Sequence, residues 1–335
     1  MQHVPNAGDQ CRFESTQNHQ RITQQILVIA TTIAQSVSRM LGAGKSFDIT
    51  GSSKESAMSS LQTQLTPKTE PNLVRRERPC VWDPGRYTRI GVALQVAGEQ
   101  LCESMDLRAG QSVLDVASGN GNTPLAAARR FCRVVSINRD QSTLEKARRR
   151  AEAEDLPIDY RLADIDELPF PAGQFDNVTS TFGVMFGTNH KQSASELLRV
   201  CKPGGKIGLT SWMPEGFFGE LIHTLQSHQP SLADKDSPTT WGRQAFIQSV
   251  FEHKARSVTT TMRSFTFRFQ SPAHWADVFM SDYQTALTAT ISSAPDTYRA
   301  IRRNILAIVE RFNCATDGTM VVPSRYLDTV IVCDD

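Results

Sequence analysis

From about Val81 onward, helix-like and strand-like patterns of apolar residues follow one another in regular alternation. Leu94, Ala97, Leu101 and Met105 recur at three- and four-residue spacing, which places them on one face of a leading helix. Ser112–Val116 is a short apolar-rich run that predicts a buried strand, and Asn122–Phe131 predicts a helix. Pro124 falls in its first turn, where a missing N–H costs little. Val134–Asn138 predicts a second strand, and Ser142 with Glu145 three residues on reads as a capping box that opens the next helix. Tyr160–Leu162 and Phe175–Ser180 predict a third and fourth strand. After a helix ending at Val200, Lys202-Pro203-Gly204-Gly205 predicts a sharp turn into a fifth strand, Lys206–Ser211.

The last hundred residues change character. An extended β-rich run covers Ser257–Phe269, and Ser271-Pro272 starts a helix with Trp275, Val278, Phe279 and Tyr283 on one face. Ile301, Ile305, Ile308 and Phe312 mark another amphipathic helix, Asp317-Gly318 a turn, and Tyr326–Cys333 a closing strand. Strands alternating with helices predict an α/β fold, a doubly wound and mostly parallel sheet with helices on both faces. Residues 1–70, rich in Gln, Ser and Thr and without alternation, read as a partly disordered N-terminal extension, with Met58 an internal candidate for initiation. The folded unit is expected over 81–335.

Composition narrows the function. Lys+Arg 36 against Asp+Glu 35 leaves a net charge of +1, so the chain offers no basic excess to nucleic acid or an anionic membrane surface. The expected partner is a small molecule. Ile26–Ala34 is too short for a membrane span and is preceded by a long stretch carrying Asp9 and Glu14, unlike a secretory signal. The 7 cysteines are odd in number, widely spaced and form no C-x-x-C pair, so reduced thiols and a cytoplasmic location are expected. No His/Cys/Asp cluster has metal-ligand spacing.

Val113–Asn122 (VLDVASGNGN) carries the chemistry. It sets Asp115 near the end of a buried strand and then two glycines, Gly119 and Gly121, flanking Asn120 just before a helix. Glycine permits a tight turn and close approach of a ligand to the backbone, and the amides of the helix start favour a carboxylate. An ordinary tight turn would use the same residues. Pro124 stands where a pyrophosphate-binding G-x-G-x-x-G loop has its third glycine, which disfavours a dinucleotide.

Four stretches in order resemble the motifs of class I S-adenosylmethionine-dependent methyltransferases, on the branch of the ubiquinone and menaquinone C-methyltransferases. These are VLDVASGNGN, VVSIN, ADIDELPFPAGQFDNVTSTFGVMF and ELLRVCKPGGKIGLTSW. The resemblance is strong over Arg86–Trp212 and weaker beyond. It implies a Rossmann-like seven-stranded sheet and S-adenosylmethionine as cofactor. It also implies that Gly119, Asn120 and Gly121 face the methionine moiety beside Asp115 and Ala117, and that Asn138 and Arg139 lie along the ribose. Asp164 and Ile165 would bracket the adenine, and Thr181 would lend backbone near the methionine. Tyr87 would close over the site. The family usually ends the second strand on an acidic residue that accepts from both ribose hydroxyls, and here that residue is Asn138, with Asp140 two residues later as a helix cap or a substitute.

Methyl transfer from a sulfonium is an in-line displacement that alignment alone accelerates. Where the acceptor is a hydroxyl or an acidic carbon, a base helps, and His190, after the fourth strand, is the candidate catalytic residue; a solvated loop histidine is the plainer reading. Phe182–His190, Trp212–Phe218 and Trp275–Tyr283 are expected to enclose a partly apolar acceptor, with covering elements across 213–325, or simply to form core. After Ser180 the chain reads Thr-Phe-Gly and lacks the Asn/Asp-Pro-Pro-aromatic box of base-amine and glutamine methylation, and no paired glutamates suggest arginine. O-, N-, S- or C-methylation of a metabolite remains. Asn138 also motivates an alternative, a catalytically weak or inactive binding or scaffolding protein on the same fold.

Overall fold

A computed structural model of the chain describes residues 88–228, 237–281 and 295–335. The expectations for residues 1–70, Tyr87 and Tyr283 fall outside them. Two short helices, α1 (Thr88–Ala93) and α2 (Gln95–Ser104), lead into β1 (Ser112–Val116), α3 (Asn122–Arg129), β2 (Arg133–Asn138), α4 (Gln141–Ala153), β3 (Ile158–Leu162) and β4 (Phe175–Thr181). A 3-10 turn at Val184–Phe186 precedes α5 (His190–Val200), β5 (Cys201–Trp212) and α6 (Phe217–Ser227). A further 3-10 segment, Pro238–Gly242, is followed by α7 (Gln244–Phe251), β6 (Ala255–Phe269), α8 (272–281), α9 (Pro295–Phe312) and β7 (Met320–Cys333).

The strands form one seven-stranded sheet in the order β3-β2-β1-β4-β5-β7-β6. The pairs from β3 to β5 are parallel, and β7 runs antiparallel to both β5 and β6. Successive units after β1 therefore wind toward β3, whereas β4 and β5 wind the other way. The reversal between β1 and β4 opens a crevice beyond their carboxyl ends, where ligands bind in such folds. The α/β, mostly parallel seven-stranded reading of the sequence is the architecture found.

Two local predictions differ. The helix after β2 is capped by Asp140, as one reading of the sequence had it, and not by the Ser142 capping box. Its carboxylate accepts from Thr143 N at 2.6 Å and Ser142 Oγ at 2.7 Å, while Glu145 turns to Arg148 and Arg149. A carboxylate is the stronger acceptor for the helix-start amides, so it displaces the hydroxyl from the cap. Lys202–Gly205 does turn, but inside β5, since Cys201 pairs Phe175 and Lys206 pairs Asn177 with the intervening residues bulged out. A Cβ on Gly205 would lie 2.7 Å from the Asp176 carbonyl, and Lys202 Nζ holds Asp176 at 2.6 Å.

The leading-helix face is buried as expected: Leu94, Ala97, Leu101 and Met105 pack inward. Beyond β4 and β5 the core is aromatic. Phe182 stacks on Trp212 at 4.1 Å between ring centroids, Trp212 on Phe218 at 4.6 Å, and Phe218 on Phe267 at 5.7 Å. Tyr326 meets Phe182 edge-on at 5.4 Å, and its hydroxyl donates to Gln100 Oε1 of α2 at 2.7 Å. Cys102, Cys132, Cys201 and Cys333 are buried free thiols and Cys314 an exposed one. Among the described residues no helix is long and apolar enough to cross a membrane.

Trp212 is fully enclosed between two stacked rings, so Trp212→Ala leaves a cavity that its neighbours cannot collapse to fill. The expected loss is about 3–5 kcal/mol in urea unfolding with an unchanged m-value. A loss below about 1 kcal/mol would mean that the stack does not support the sheet.

Candidate active site

The chain leaves β1 in a left-handed turn: Ala117 has φ +55°, Gly119 +54° and Gly121 +85°. Ser118 N donates to Ile137 O of β2 at 3.0 Å, and Gly121 N returns to Ser118 O at 3.0 Å. The two glycines do different work. A Cβ on Gly119 would meet nothing within 4 Å, because that position faces an open cleft. One on Gly121 would come 3.0 Å from Ala147 Cβ, so this residue lets the loop pack on α4 and stands behind the cleft wall.

Arg150 of α4 clamps the loop from behind. Its Nη1 donates to Asn120 O at 2.6 Å and Asn122 Oδ1 at 2.8 Å, and Nη2 to Gln95 Oε1 at 3.3 Å. Asn122 Nδ2 in turn donates to Gly91 O at 2.6 Å, joining the loop to the leading helices. Burial lowers the pKa of this guanidinium, consistent with its role as an internal donor.

The cleft encloses about 1160 Å³, open solvent included, and gathers the ends of four strands. Asp115, Ala117, Gly119 and Asn120 come from β1 and its loop, Asn138 and Arg139 from the end of β2. Asp164 and Ile165 follow β3, and Thr181 ends β4. Gly121 and His190 are absent from its lining.

Four of these side chains are held by hydrogen bonds. Asp115, 1% exposed, accepts from Thr179 Oγ1 at 2.6 Å, and burial pushes its pKa up to about 7 against that hydrogen bond. Asn138 Oδ1 accepts from Asp140 N at 3.0 Å, and Asp164 Oδ1 from Asp166 N at 3.1 Å. Thr181 Oγ1 and Thr123 Oγ1 share a hydrogen bond at 2.6 Å. Phe182, φ +55°, turns the chain out of β4, and a Cβ on Gly183 would lie 2.7 Å from Ala117 Cβ.

Sequence reading missed Ser118, Thr143 and Lys146, which also line the cleft. Thr143 and Lys146 are three apart on α4 and so share a face; the signal was available once the helix start was set at Asp140. Three buried atoms on the lining, Ser118 Oγ, Asn120 Nδ2 and Thr143 Oγ1, have no hydrogen-bond partner among the described residues. Buried polar groups of this kind ask for a ligand or water. Phe182 and Phe186, with Leu94 and Gly91 opposite, make an apolar end. Trp212, Phe218 and Trp275, read as acceptor-facing or core, are 1% exposed or less and pack behind that wall.

His190 is not in a solvated loop. It begins α5, is 4% exposed, and meets the rings of Trp241 and Phe246 edge-on at 5.7 and 5.9 Å. Asn189, capping α5 through Gln192 N, pulls His190 into the helix and hence inward. Among the described residues no group of three or more His, Cys, Asp or Glu is placed to hold a metal.

The raised pKa of Asp115 has a sign. Its folded value near 7 exceeds the ordinary carboxylate value of 3.8, so the folded state holds the proton longer. Stability from this group is greatest below about pH 4 and falls as pH rises to about 7. Asp115→Asn should therefore match the natural protein near pH 4 and exceed it by a few kcal/mol at pH 8 in chemical unfolding. Equal differences at both pH values would show that the carboxylate is not held protonated.

Comparison with known proteins agrees with this geometry. The methyltransferase-domain family profile matches residues 114–209, from β1 into β5. An uncharacterized protein of Mycobacterium tuberculosis is 34% identical over 263 residues, covering 77% of this chain and 95% of its own length. A demethylmenaquinone methyltransferase of Clavibacter sepedonicus is 36% identical over 126 residues, covering 36% of this chain and 51% of its own. Among solved structures, a Bacillus halodurans protein, itself only provisionally a methyltransferase, shares the fold with a TM-score of 0.50 at 19% identity, over 72% of this chain and 100% of its own. The chain carries a methyltransferase domain and belongs to one family with the Mycobacterium tuberculosis protein, and over that domain it resembles the class I S-adenosylmethionine-dependent methyltransferases of the ubiquinone and menaquinone branch.

Proposed function

We propose that the chain binds S-adenosylmethionine in this cleft and moves its methyl group to a small, partly apolar metabolite by in-line displacement. The observation that carries this reading is the division of the cleft. Ser118, Asn120 and Thr143, each with a buried unpartnered polar atom, and the Gly119 opening supply polar lining, and Phe182, Phe186 and Leu94 supply apolar lining. Ser118 Oγ and Asn120 Nδ2 can both donate to the carboxylate of a methionine moiety, and the Asp115 carboxylate accepts from its amine. Asp164 accepts from the adenine amine, Ile165 packs on the ring, Asn138 and Arg139 follow the ribose, and Thr181 lends backbone. Gly121 keeps the loop low enough for this contact.

The sulfonium supplies an activated methyl whose bond to sulfur breaks as the bond to the acceptor O, N, S or C atom forms. The chain's own work is alignment and exclusion of water, which is sufficient for such a displacement. A base contribution from His190 needs a relay, since it does not line the cleft. The near-neutral charge favours a small-molecule acceptor over nucleic acid, and five free cysteines among the described residues suit the cytoplasm. A second reading, a catalytically weak or inactive binding protein, is favoured by one observation: Asn138 gives its carbonyl oxygen to Asp140 N.

Calorimetry should detect S-adenosylhomocysteine binding, and labelled S-adenosylmethionine with host metabolite extract should yield a labelled small molecule. Gly119→Val should weaken binding by about tenfold or more while unfolding at nearly the same temperature. Unchanged affinity would remove the loop from the site. No binding at millimolar ligand would sink the cofactor reading, and binding without transfer would favour the second reading. Unaltered turnover in His190→Ala would dismiss the base.

A further inference from the structure

The ribose end of the cleft is built from donors. A ribose diol brings two hydroxyl protons and is best met by an acceptor, yet β2 ends on Asn138. Its one acceptor atom, Oδ1, already accepts from the N–H of Asp140 at 3.0 Å, so one acceptor site remains there against the two protons of Nδ2. Only an oxygen can accept from a backbone N–H, and the orientation of the amide follows from that bond. Thr143, 3% exposed and on the first turn of α4, lines the same end with an Oγ1 that has no partner among the described residues. Lys146, one turn further along that face, and Arg139 add positive charge to the lining.

Two carboxylates stand near, and each already accepts from the chain. Asp140 caps α4 through Ser142 Oγ and Thr143 N, with Lys146 helping to hold it ionised. Asp164, beyond β3, accepts from Asp166 N. Asp140 is turned to the start of α4 and Asp164 follows β3, where it is assigned to the adenine amine, so neither is a carboxylate ending β2. The set of Asn138 Nδ2, Thr143 Oγ1 and the Lys146 ammonium is complementary to a group that only accepts and is negatively charged. A phosphate monoester supplies three such oxygens and a charge of about −1.5 to −2 near neutral pH. Dinucleotide sites elsewhere make the same choice, an acidic residue for a ribose hydroxyl and a basic one for a ribose phosphate.

We infer that this cleft takes an adenine nucleotide carrying a phosphate on its ribose 2′ or 3′ oxygen, in competition with S-adenosylmethionine. The inference rests on the reading that adenosine lies in this cleft with its ribose at the end of β2. Such a ligand occupies the cofactor position and acts as a competitor at it.

The three adenosine monophosphates, 2′, 3′ and 5′, have the same composition and charge and differ only in where the phosphate sits. Calorimetry on the full chain should find the 2′ or the 3′ isomer bound about tenfold or more tighter than the 5′ isomer, and displaced by S-adenosylhomocysteine. Lys146→Ala should reduce that preference about fivefold. Asn138→Asp should reverse it, weakening the 2′ or 3′ isomer while tightening S-adenosylhomocysteine. Equal affinity for the three isomers, or a preference that survives both substitutions, overturns the inference. If S-adenosylhomocysteine binds and the isomers are equal, this inference alone falls; if nothing binds, the cofactor reading falls with it.

Discussion

The structure depends on one close approach, where the ends of β1 and β4 turn away from each other side by side. Ala117 and Phe182 both take left-handed backbone conformations there, and Gly183 admits Ala117 where any Cβ would collide. Left-handed φ on a residue with a side chain costs about 1–2 kcal/mol. That strain persists because both neighbours are over-determined. Phe182 is stacked on Trp212 and buttressed by Tyr326, and Ser180 Oγ donates to Val116 O across the two strands at 2.8 Å. Without the double turn the two strand ends would close on each other, and no crevice would open between the halves of the sheet.

From that crevice the two sides diverge in chemistry. Toward β2 and β3 the lining is polar and under-satisfied, with a carboxylate at Asp115 that burial holds near neutrality. Toward β5 it is aromatic and closely packed, each ring resting on another from Phe182 through to Phe267. The polar and the apolar parts of a ligand would therefore meet separate environments. The polar side is costly to the folded state, as functional sites commonly are, and the aromatic side together with the long β6–β7 pairing offsets it.

Much of this was legible in the residues. The period of the apolar pattern placed β1 through β5 and the leading helix, because each buries a face that only one register can hide. The cofactor loop was legible because glycine spacing after a buried strand has few physical uses. Three things were less so. Asp140 was one of two helix starts on offer, and its stronger acceptor overrode the competing Ser-x-x-Glu pattern. His190 looked solvated because Gly187, Thr188 and Asn189 precede it, yet Asn189 caps a helix and carries it inward. The closing strand was read only from Tyr326, whereas β7 begins at Met320 and holds Pro323 opposite Thr266, a residue that cannot donate to the ladder and so breaks the strand pattern.

Arg150 shows how far from the cleft its geometry is decided. A cation in the cofactor site would compete for ligand charge, but this one lies behind the loop and binds only neutral oxygens, those of Asn120, Asn122 and Gln95. Its positive charge stays partly desolvated, so it gains more from holding those carbonyls in place than a lysine would, whose compact ammonium cannot span three of them at once. Through Asn122 the same clamp reaches Gly91, and through Gln95 it reaches α2, whose Gln100 receives the Tyr326 hydroxyl behind Phe182. The loop on the polar side and the ring on the apolar side are thus tied to one pair of leading helices. The separation between the polar and the apolar lining of the cleft is set by α1 and α2 as much as by the sheet beneath them.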